Sequence, residues 1–160
     1  MKSLPAGQSG NKLNELYAAL PPEIRAKLIA HETATTFPAG EQIIRAGVLL
    51  GNLIMITSGL VEISLPVAQG DFSLVLAGKG KVLGLRCVVS GELPDTDVTA
   101  LEATSATMIP QKEFIHILHQ HPQMYSAIAK VLSTDLKLAD KLLRQVADGA
   151  SAKRSSLRAM

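Results

Sequence analysis

Three histidines, His116, His119 and His121, lie within six residues of one another, and Glu113 stands close before them. Imidazole nitrogens and carboxylate oxygens are zinc ligands, so this group is the first candidate for a metal site. The apolar residues within 114–118, however, recur at helical spacing, which puts His116 and His119 on the opposite, solvated face of a helix. The spacing therefore favours a surface pair, and we expect no metal site.

Cys87 is the only cysteine, which excludes an internal disulfide and leaves too few thiolates for an iron–sulfur cluster. A thiol of lowered pKa could sense oxidation, but a lone cysteine is more often a small buried hydrophobe, and we favour that interpretation. The segment Gly78–Lys81 lacks the spacing of a phosphate-binding loop and predicts a solvated hairpin turn. Nothing in the sequence groups a nucleophile, a base and an orienting residue, so it predicts neither an enzyme nor a cofactor.

The charge distribution argues against nucleic-acid binding. The formal net charge is +2, but Lys153, Arg154 and Arg158 all lie in the last dozen residues, leaving 13 basic and 14 acidic residues elsewhere. A DNA-binding body is expected to carry a basic face. We therefore predict no DNA binding by this chain alone. No apolar run approaches the roughly 20 residues of a membrane span, and no export signal is recognisable, so we expect a cytoplasmic location.

The two ends of the chain differ in pattern from its middle. Residues 1–10 are rich in Gly, Ser and Pro and are predicted to be flexible. Helical spacing predicts a short helix over residues 11–20, which the two following prolines end. A second helix is predicted from Pro22 to His31, because proline is tolerated in a first helical turn.

Between Thr33 and Pro110, short segments rich in Ile, Val, Leu and Thr alternate with glycines, which predicts a β-barrel or sandwich. The predicted strands cover residues 41–45, 53–57, 60–65, 72–77, 97–103 and 106–110. Residues 69–71 are predicted as a hairpin turn. After Pro110 a short helix and a long helix over residues 122–146 follow, and Gly149 with a Ser-rich tail, residues 147–160, is predicted to be flexible.

Several motifs keep a recognisable order. They are Phe37–Glu41 followed by Ile43–Gly47, Leu53–Val61 with Gly59 at its turn, Gly80–Gly84, and Thr99–Phe114. Together they resemble the sensor domain of the CRP/FNR superfamily, a cyclic nucleotide-binding-like domain, here over residues 11–146. The resemblance implies a mainly β fold with flanking helices: a jelly-roll-like double-stranded β-helix with N-terminal helices and a long C-terminal helix.

The resemblance also implies where an effector would bind. In this family the segment that Gly80–Gly84 resembles begins the phosphate-binding cassette. In the cyclic-nucleotide binders a Glu directly follows the last glycine of that segment, and an Arg about ten residues later contacts the cyclic phosphate. Here Leu85 follows Gly84, and Pro94 or Asp95 replaces the Arg. In a strand Arg86 would point away from Leu85, whereas a helical turn would relax that constraint. We therefore predict a degenerate cassette that does not bind cyclic AMP or cyclic GMP. The candidate effector pocket comprises Gly84, Leu85, Arg86, Cys87, Asp95, Thr96 and Asp97.

The long C-terminal helix carries an apolar repeat with alternating spacings of four and three, typical of a two-helix seam. The seam residues are Tyr125, Ala129, Leu132, Leu136, Ala139, Leu143 and Val146. A second apolar line contains Ile128, Val131, Leu138 and Leu142. We predict that one line packs on the barrel while the other forms a homodimer; the alternative is that both lines pack on this chain's own barrel.

These features predict a non-enzymatic regulatory domain that either senses an unidentified small molecule or uses its β-barrel as a protein-docking scaffold, and that signals through its C-terminal helix. The alternative is the sensor half of a DNA-binding transcriptional regulator. Members of the resembled family usually continue into a helix-turn-helix domain, and the 14 residues that follow Val146 are too few for one.

Overall fold

The structure is a computed structural model that describes residues 13–68 and 70–158. Within them the chain forms two antiparallel four-stranded sheets, with strand orders β1-β8-β3-β6 and β2-β7-β4-β5. The strands are β1 (Thr33–Phe37), β2 (Gln42–Ile44), β3 (Asn52–Ser58), β4 (Val61–Val67), β5 (Gly70–Ala77), β6 (Val82–Leu83), β7 (Asp97–Ala100) and β8 (Thr104–Pro110). The mainly β, jelly-roll-like fold predicted from the sequence is confirmed.

Strand β3 separates two cores. Four consecutive residues of β3, Leu53–Ile56, are all buried. Because successive side chains of a strand point to opposite faces, these four contribute to both sides of the sheet. Leu53 and Met55 join a cluster with the helices, whereas Ile54 and Ile56 join a cluster between the two sheets. The sheet pair is therefore covered by helices on one side and encloses its own apolar interior on the other.

Four helices flank the sheets: α1 (Pro22–Ile29), α2 (Leu85–Ser90), α3 (Gln111–Gln120) and α4 (Met124–Arg158). Helix α1 begins at Pro22 as predicted. The helix predicted over residues 11–20 is wrong in its described part, where only a 3₁₀ turn, Tyr17–Ala19, is formed. The Asn14 side chain accepts a hydrogen bond from the backbone amide of Tyr17, which stabilises a turn. Pro21 then ends the segment before a full helix can form.

Two predicted turns differ from expectation in detail. Strands β4 and β5 form the expected hairpin with Val67 opposite Gly70, so Gly70 and Asp71 belong to the strand; Gln69 lies outside the described residues. The turn at Gly78–Lys81 is not a hairpin, because β5 and β6 lie in different sheets. It carries the chain from one sheet to the other.

Helix α4 continues through Gly149 to Arg158, so its predicted end at Val146 is wrong. A glycine inside a helix costs only about 1 kcal/mol relative to alanine, and the residues after it include good helix formers such as Ala and Lys. The predicted flexibility of residues 1–10 falls outside the described residues. Among the described helices, none is both long and apolar enough to cross a membrane.

Candidate functional site

A cavity of about 520 Å³ lies between the β4–β5 sheet, helix α2 and the middle part of helix α4. Side chains from β4 and β5 form one wall, and the helix residues from Leu132 to Leu143 form the opposite one. Its surface is predominantly apolar. A cavity of this size and lining matches those that hold small ligands in proteins.

Gly84 allows the chain to turn sharply into helix α2 beside the cavity. Its φ of 80° lies in the left-handed region that favours glycine, and an added Cβ would stand 2.1 Å from the Leu50 side chain. Because the next residues are helical, Leu85 and Arg86 both line the cavity, as only the helical interpretation of the sequence allowed. Leu85 is 3% exposed, so an apolar side chain fills the position where the family resemblance implies a glutamate.

Arg86 is held by two carboxylates. Its Nη1 contacts Glu92 Oε2, and its Nη2 lies 3.3 Å from Asp95 Oδ1. Of the two residues that could occupy the position where the resemblance implies a phosphate-binding arginine, Pro94 carries no charge and Asp95 carries a carboxylate that contacts Arg86. Thr96 also lines the cavity.

Asp97 does not line the cavity, contrary to its place in the predicted pocket. It is the first residue of β7, and its carboxylate accepts a 2.8 Å hydrogen bond from the backbone amide of Ala46, which lies in the loop after β2. Of the two acids expected to repel a phosphate, only Asp95 stands at the site.

A second cation, Lys81, joins the cavity wall to helix α4. Its Nζ lies 2.5 Å from Asp135 Oδ1 on the helix and 3.4 Å from Glu15 Oε1 in the N-terminal segment. Glu15 also accepts the Val82 amide. No local sequence pattern predicts this contact, because residues 15, 81 and 135 come together only through the packing of the helix on the sheets.

Cys87 is buried and lines the cavity, and its burial agrees with the prediction of a small hydrophobe. Burial raises the pKa of its thiol, and the positive charge of Arg86 offsets only part of that rise. The thiol therefore stays protonated near neutral pH, which makes it a poor nucleophile.

The histidine cluster is not brought together. His116 and His119 are exposed on α3 as predicted, and His121 Nε2 lies 2.8 Å from Lys27 Nζ. Glu113 faces His31 instead, at 3.8 Å. No set of three or more metal-binding side chains occurs within the described residues.

The predicted seam of α4 divides into two groups. Leu132, Ala139 and Leu143 line the cavity, whereas Tyr125, Ala129 and Leu136 lie outside it and are exposed. In the second apolar line, Ile128 and Val131 are buried in the core, while Leu138 and Leu142 line the cavity. The side chain of Val146 lies outside the described part.

The cavity wall formed by β4 and β5 was not predicted from the sequence. A β-bulge leaves Leu74 unpaired between the pairs Ile63–Val75 and Ser64–Ser73. The bulge turns both Leu74 and Val75 toward the cavity, where strict alternation would have admitted only one of them. The alternation of Ile63 and Leu65 on β4 was the one signal available for this wall.

The fold is a β-roll in which the short helix α2 and the long helix α4 border the cavity. The sequence model of the cyclic nucleotide-binding domain matches residues 34–121. The chain belongs to the cyclic nucleotide-binding domain family. A search of curated protein sequences finds no significant match.

Solved structures of similar fold include three from different settings. The catabolite activator protein of Thermus thermophilus gives a TM-score of 0.71 at 21% identity, over 84% of this chain and 63% of that one. The sensor domain of the transcriptional regulator DNR from Pseudomonas aeruginosa gives 0.65 at 18%, over 77% and 83%. A regulatory subunit of a cAMP-independent protein kinase A from Trypanosoma cruzi, bound to guanosine, gives 0.67 at 19%, over 84% and 46%.

Proposed function

We propose that this chain is a non-enzymatic cytoplasmic sensor domain that does not bind cyclic AMP or cyclic GMP and that signals through a dimer formed by α4. The observation that carries the first part is the double pairing of Arg86 with Glu92 and Asp95. A buried phosphodiester needs a cation or several donors, and here the cation beside the cassette is already engaged. Leu85 offers no acceptor for a ribose hydroxyl.

Isothermal titration with each cyclic nucleotide tests this part. We expect no saturable heat, whereas a dissociation constant below about 10 μM, near −7 kcal/mol, would contradict it. The Asp95→Arg variant is the matched comparison, because it replaces an exposed acid with the cation that the family resemblance implies at this place. It should bind cyclic AMP more tightly than the wild type does.

The dimer proposal is supported by the exposed seam residues. Leu136 and Leu143 are 71% and 65% exposed, and Tyr125 and Ala129 continue the same stripe toward the start of the helix. Exposed apolar residues at spacings of four and seven along one helix are typical of a surface that a second helix covers. The buried Ile128 and Val131 already attach the helix to its own domain.

Sedimentation of the wild type and of the variant Leu136→Glu/Leu143→Glu tests the dimer. Burying two unpaired carboxylates at the seam costs several kcal/mol per ion, so the variant should be monomeric with its β-roll intact. The control Ser133→Glu/Gln145→Glu adds the same charge at exposed positions off the seam and should remain dimeric. A wild type that is monomeric at micromolar concentration would end this part of the proposal.

The second candidate is the sensor half of a DNA-binding transcriptional regulator. It is favoured by the similarity to the Thermus activator, of which this chain spans 63% of the length. In that setting the domain would supply the effector site and the dimer, and another part of the protein would contact DNA. With the body near neutrality, this chain alone should select no DNA motif at physiological salt; enrichment of one defined motif in a gel-shift selection would contradict that expectation.

A further inference from the structure

The apolar lining of the cavity and the pairing of its charged side chains decide which class of ligand it accepts. This inference rests on the proposed function, which makes the cavity the effector site. The described lining of the cavity includes aliphatic side chains from five strands, among them Ile44, Ile63, Leu74, Leu83 and Val98. On the helix side Leu132 and Leu142 face them. A ligand that fills this space therefore exchanges water mostly for hydrocarbon.

Each of the two cations in the described lining contacts two carboxylates. Arg86 contacts Glu92 and Asp95, and Lys81 contacts Asp135 and Glu15. Only Asp95 and Asp135 line the cavity themselves, but the two cations with their four contacting carboxylates carry two negative charges in excess at its margin. An anion could contact Arg86 or Lys81 only by displacing one of the two carboxylates on that cation. Both carboxylates would remain nearby and would repel the anion.

A cationic ligand gains little from this excess. Each of the four carboxylates already contacts a cation, and the aliphatic interior gives an ammonium group no replacement for its lost water. We propose that the effector is a neutral, predominantly apolar small molecule, and that the paired carboxylates exclude phosphates and other anions from the cavity.

Three probes of equal chain length separate charge from size: 1-decanol, decylamine and decanoate, each titrated into the full chain by calorimetry at neutral pH. We expect saturable decanol binding with one site per chain, and decanoate affinity lower by roughly tenfold or more because of the excess carboxylates. Decylamine should fall between them. Absence of decanol binding up to its solubility limit would overturn the proposal, and so would either charged probe binding more tightly than decanol.

The exclusion of anions has its own test. Glu92→Gln/Asp95→Asn frees the guanidinium of Arg86, so the gap between decanol and decanoate should shrink by roughly tenfold. Both side chains are exposed, so the variant should fold as the wild type does. The control Glu23→Gln/Glu102→Gln removes the same charge from exposed sites outside the lining and should leave the gap unchanged. An equal shift in both variants would attribute the selectivity to net charge alone and contradict the proposal.

The place of binding is tested on strand β5. Leu74 lines the cavity, whereas Leu76 is exposed outside it. Leu74→Asp should abolish decanol binding, and Leu76→Asp should preserve it. Leu138→Asp, at a partly exposed position of the helix wall, repeats the test if Leu74→Asp does not fold. Binding that survives both lining variants would overturn the assignment of the cavity.

Guanosine and cyclic AMP complete the probe set. Guanosine is neutral but rich in polar groups, so it should bind more weakly than decanol; tighter guanosine binding would contradict the apolar class. Tight cyclic AMP binding would contradict the proposed function itself. A chain that binds neither cyclic AMP nor decanol would overturn only the inference about the ligand class.

Discussion

Between residues 124 and 147, helix α4 has two halves, residues 124–135 and 136–147, which differ in what covers their apolar side chains. In the first half, Met124, Ile128 and Val131 are buried against the β-roll and the N-terminal segment. In the second half, Leu136 and Leu143 are mostly exposed, and their neighbours border the cavity. The first half attaches the helix to the domain, and the second half carries the residues that we propose contact a ligand or a partner.

The largest effect should come from the buried half. Ile128→Ala removes three carbons from a packed core position, so the free energy of unfolding should fall by about 2–5 kcal/mol. Leu136→Ala, at an exposed position of the same helix, should change the stability of the monomer by less than about 0.5 kcal/mol. Urea denaturation at several protein concentrations measures both. Equal losses in the two variants would break the distinction between the halves.

The ion pair between Lys81 and Asp135 lies at the boundary of the two halves. Asp135→Asn should lower stability by at most about 1 kcal/mol, because both side chains are partly exposed to solvent. Hydrogen exchange of the α4 amides beyond residue 132 should accelerate, while the amides of residues 124–131 stay protected. Asp140→Asn removes a fully surface pair with Arg144 and is the control; if it accelerates exchange equally, the Lys81 contact does not hold the helix.

A smaller, pH-dependent effect is expected beside the buried half. The Tyr17 hydroxyl donates a hydrogen bond to Glu32, and Tyr17 packs in the same core cluster as Ile128. Burial raises the pKa of the Glu32 carboxyl, and the hydrogen bond from Tyr17 offsets part of that rise. A raised pKa in the folded state means that this group favours folding when it is protonated and loses that contribution as the pH rises through its folded-state pKa.

Glu32→Gln removes this titration. Relative to the wild type, the variant should therefore gain stability between about pH 4 and pH 7, by a fraction of a kcal/mol for this half-exposed group. Thermal melts across that range measure the difference. Exchange in the second half of α4 should not change with Glu32→Gln. A variant that loses stability as the pH rises would show that the charged hydrogen bond outweighs burial.

Much of the fold was predictable from local pattern. Glycine-punctuated segments of Ile, Val and Leu gave most strands, and Pro22 marked the start of α1. The site was predictable only where its residues are neighbours in the sequence. Gly84, Leu85, Arg86 and Cys87 are consecutive, and all four line the cavity. Leu85, together with Pro94 or Asp95, is the basis for the prediction that the phosphate-binding pattern of the family is altered here.

The remaining parts depend on packing between distant segments. The bulge at Leu74 and the contact between Lys81 and Asp135 follow from how strands and helix meet, which no local pattern records. Asp97 was misplaced because its neighbour Asp95 does line the cavity, while Asp97 itself enters β7 and turns to the Ala46 amide. The heptad spacing of α4 located its apolar residues correctly, yet spacing alone did not separate cavity-lining residues from those exposed to a partner.

We propose that the cassette segment has no cation available for a phosphate, since Arg86 contacts Glu92 and Asp95 and Lys81 contacts Asp135 and Glu15. Amide spectra of ¹⁵N-labelled protein during titration with cyclic AMP test this proposal most directly. We expect that the amides of Gly84, Leu85, Arg86 and Cys87 do not shift up to millimolar nucleotide. Saturable shifts confined to those four amides would place the phosphate in the cassette and contradict the proposal.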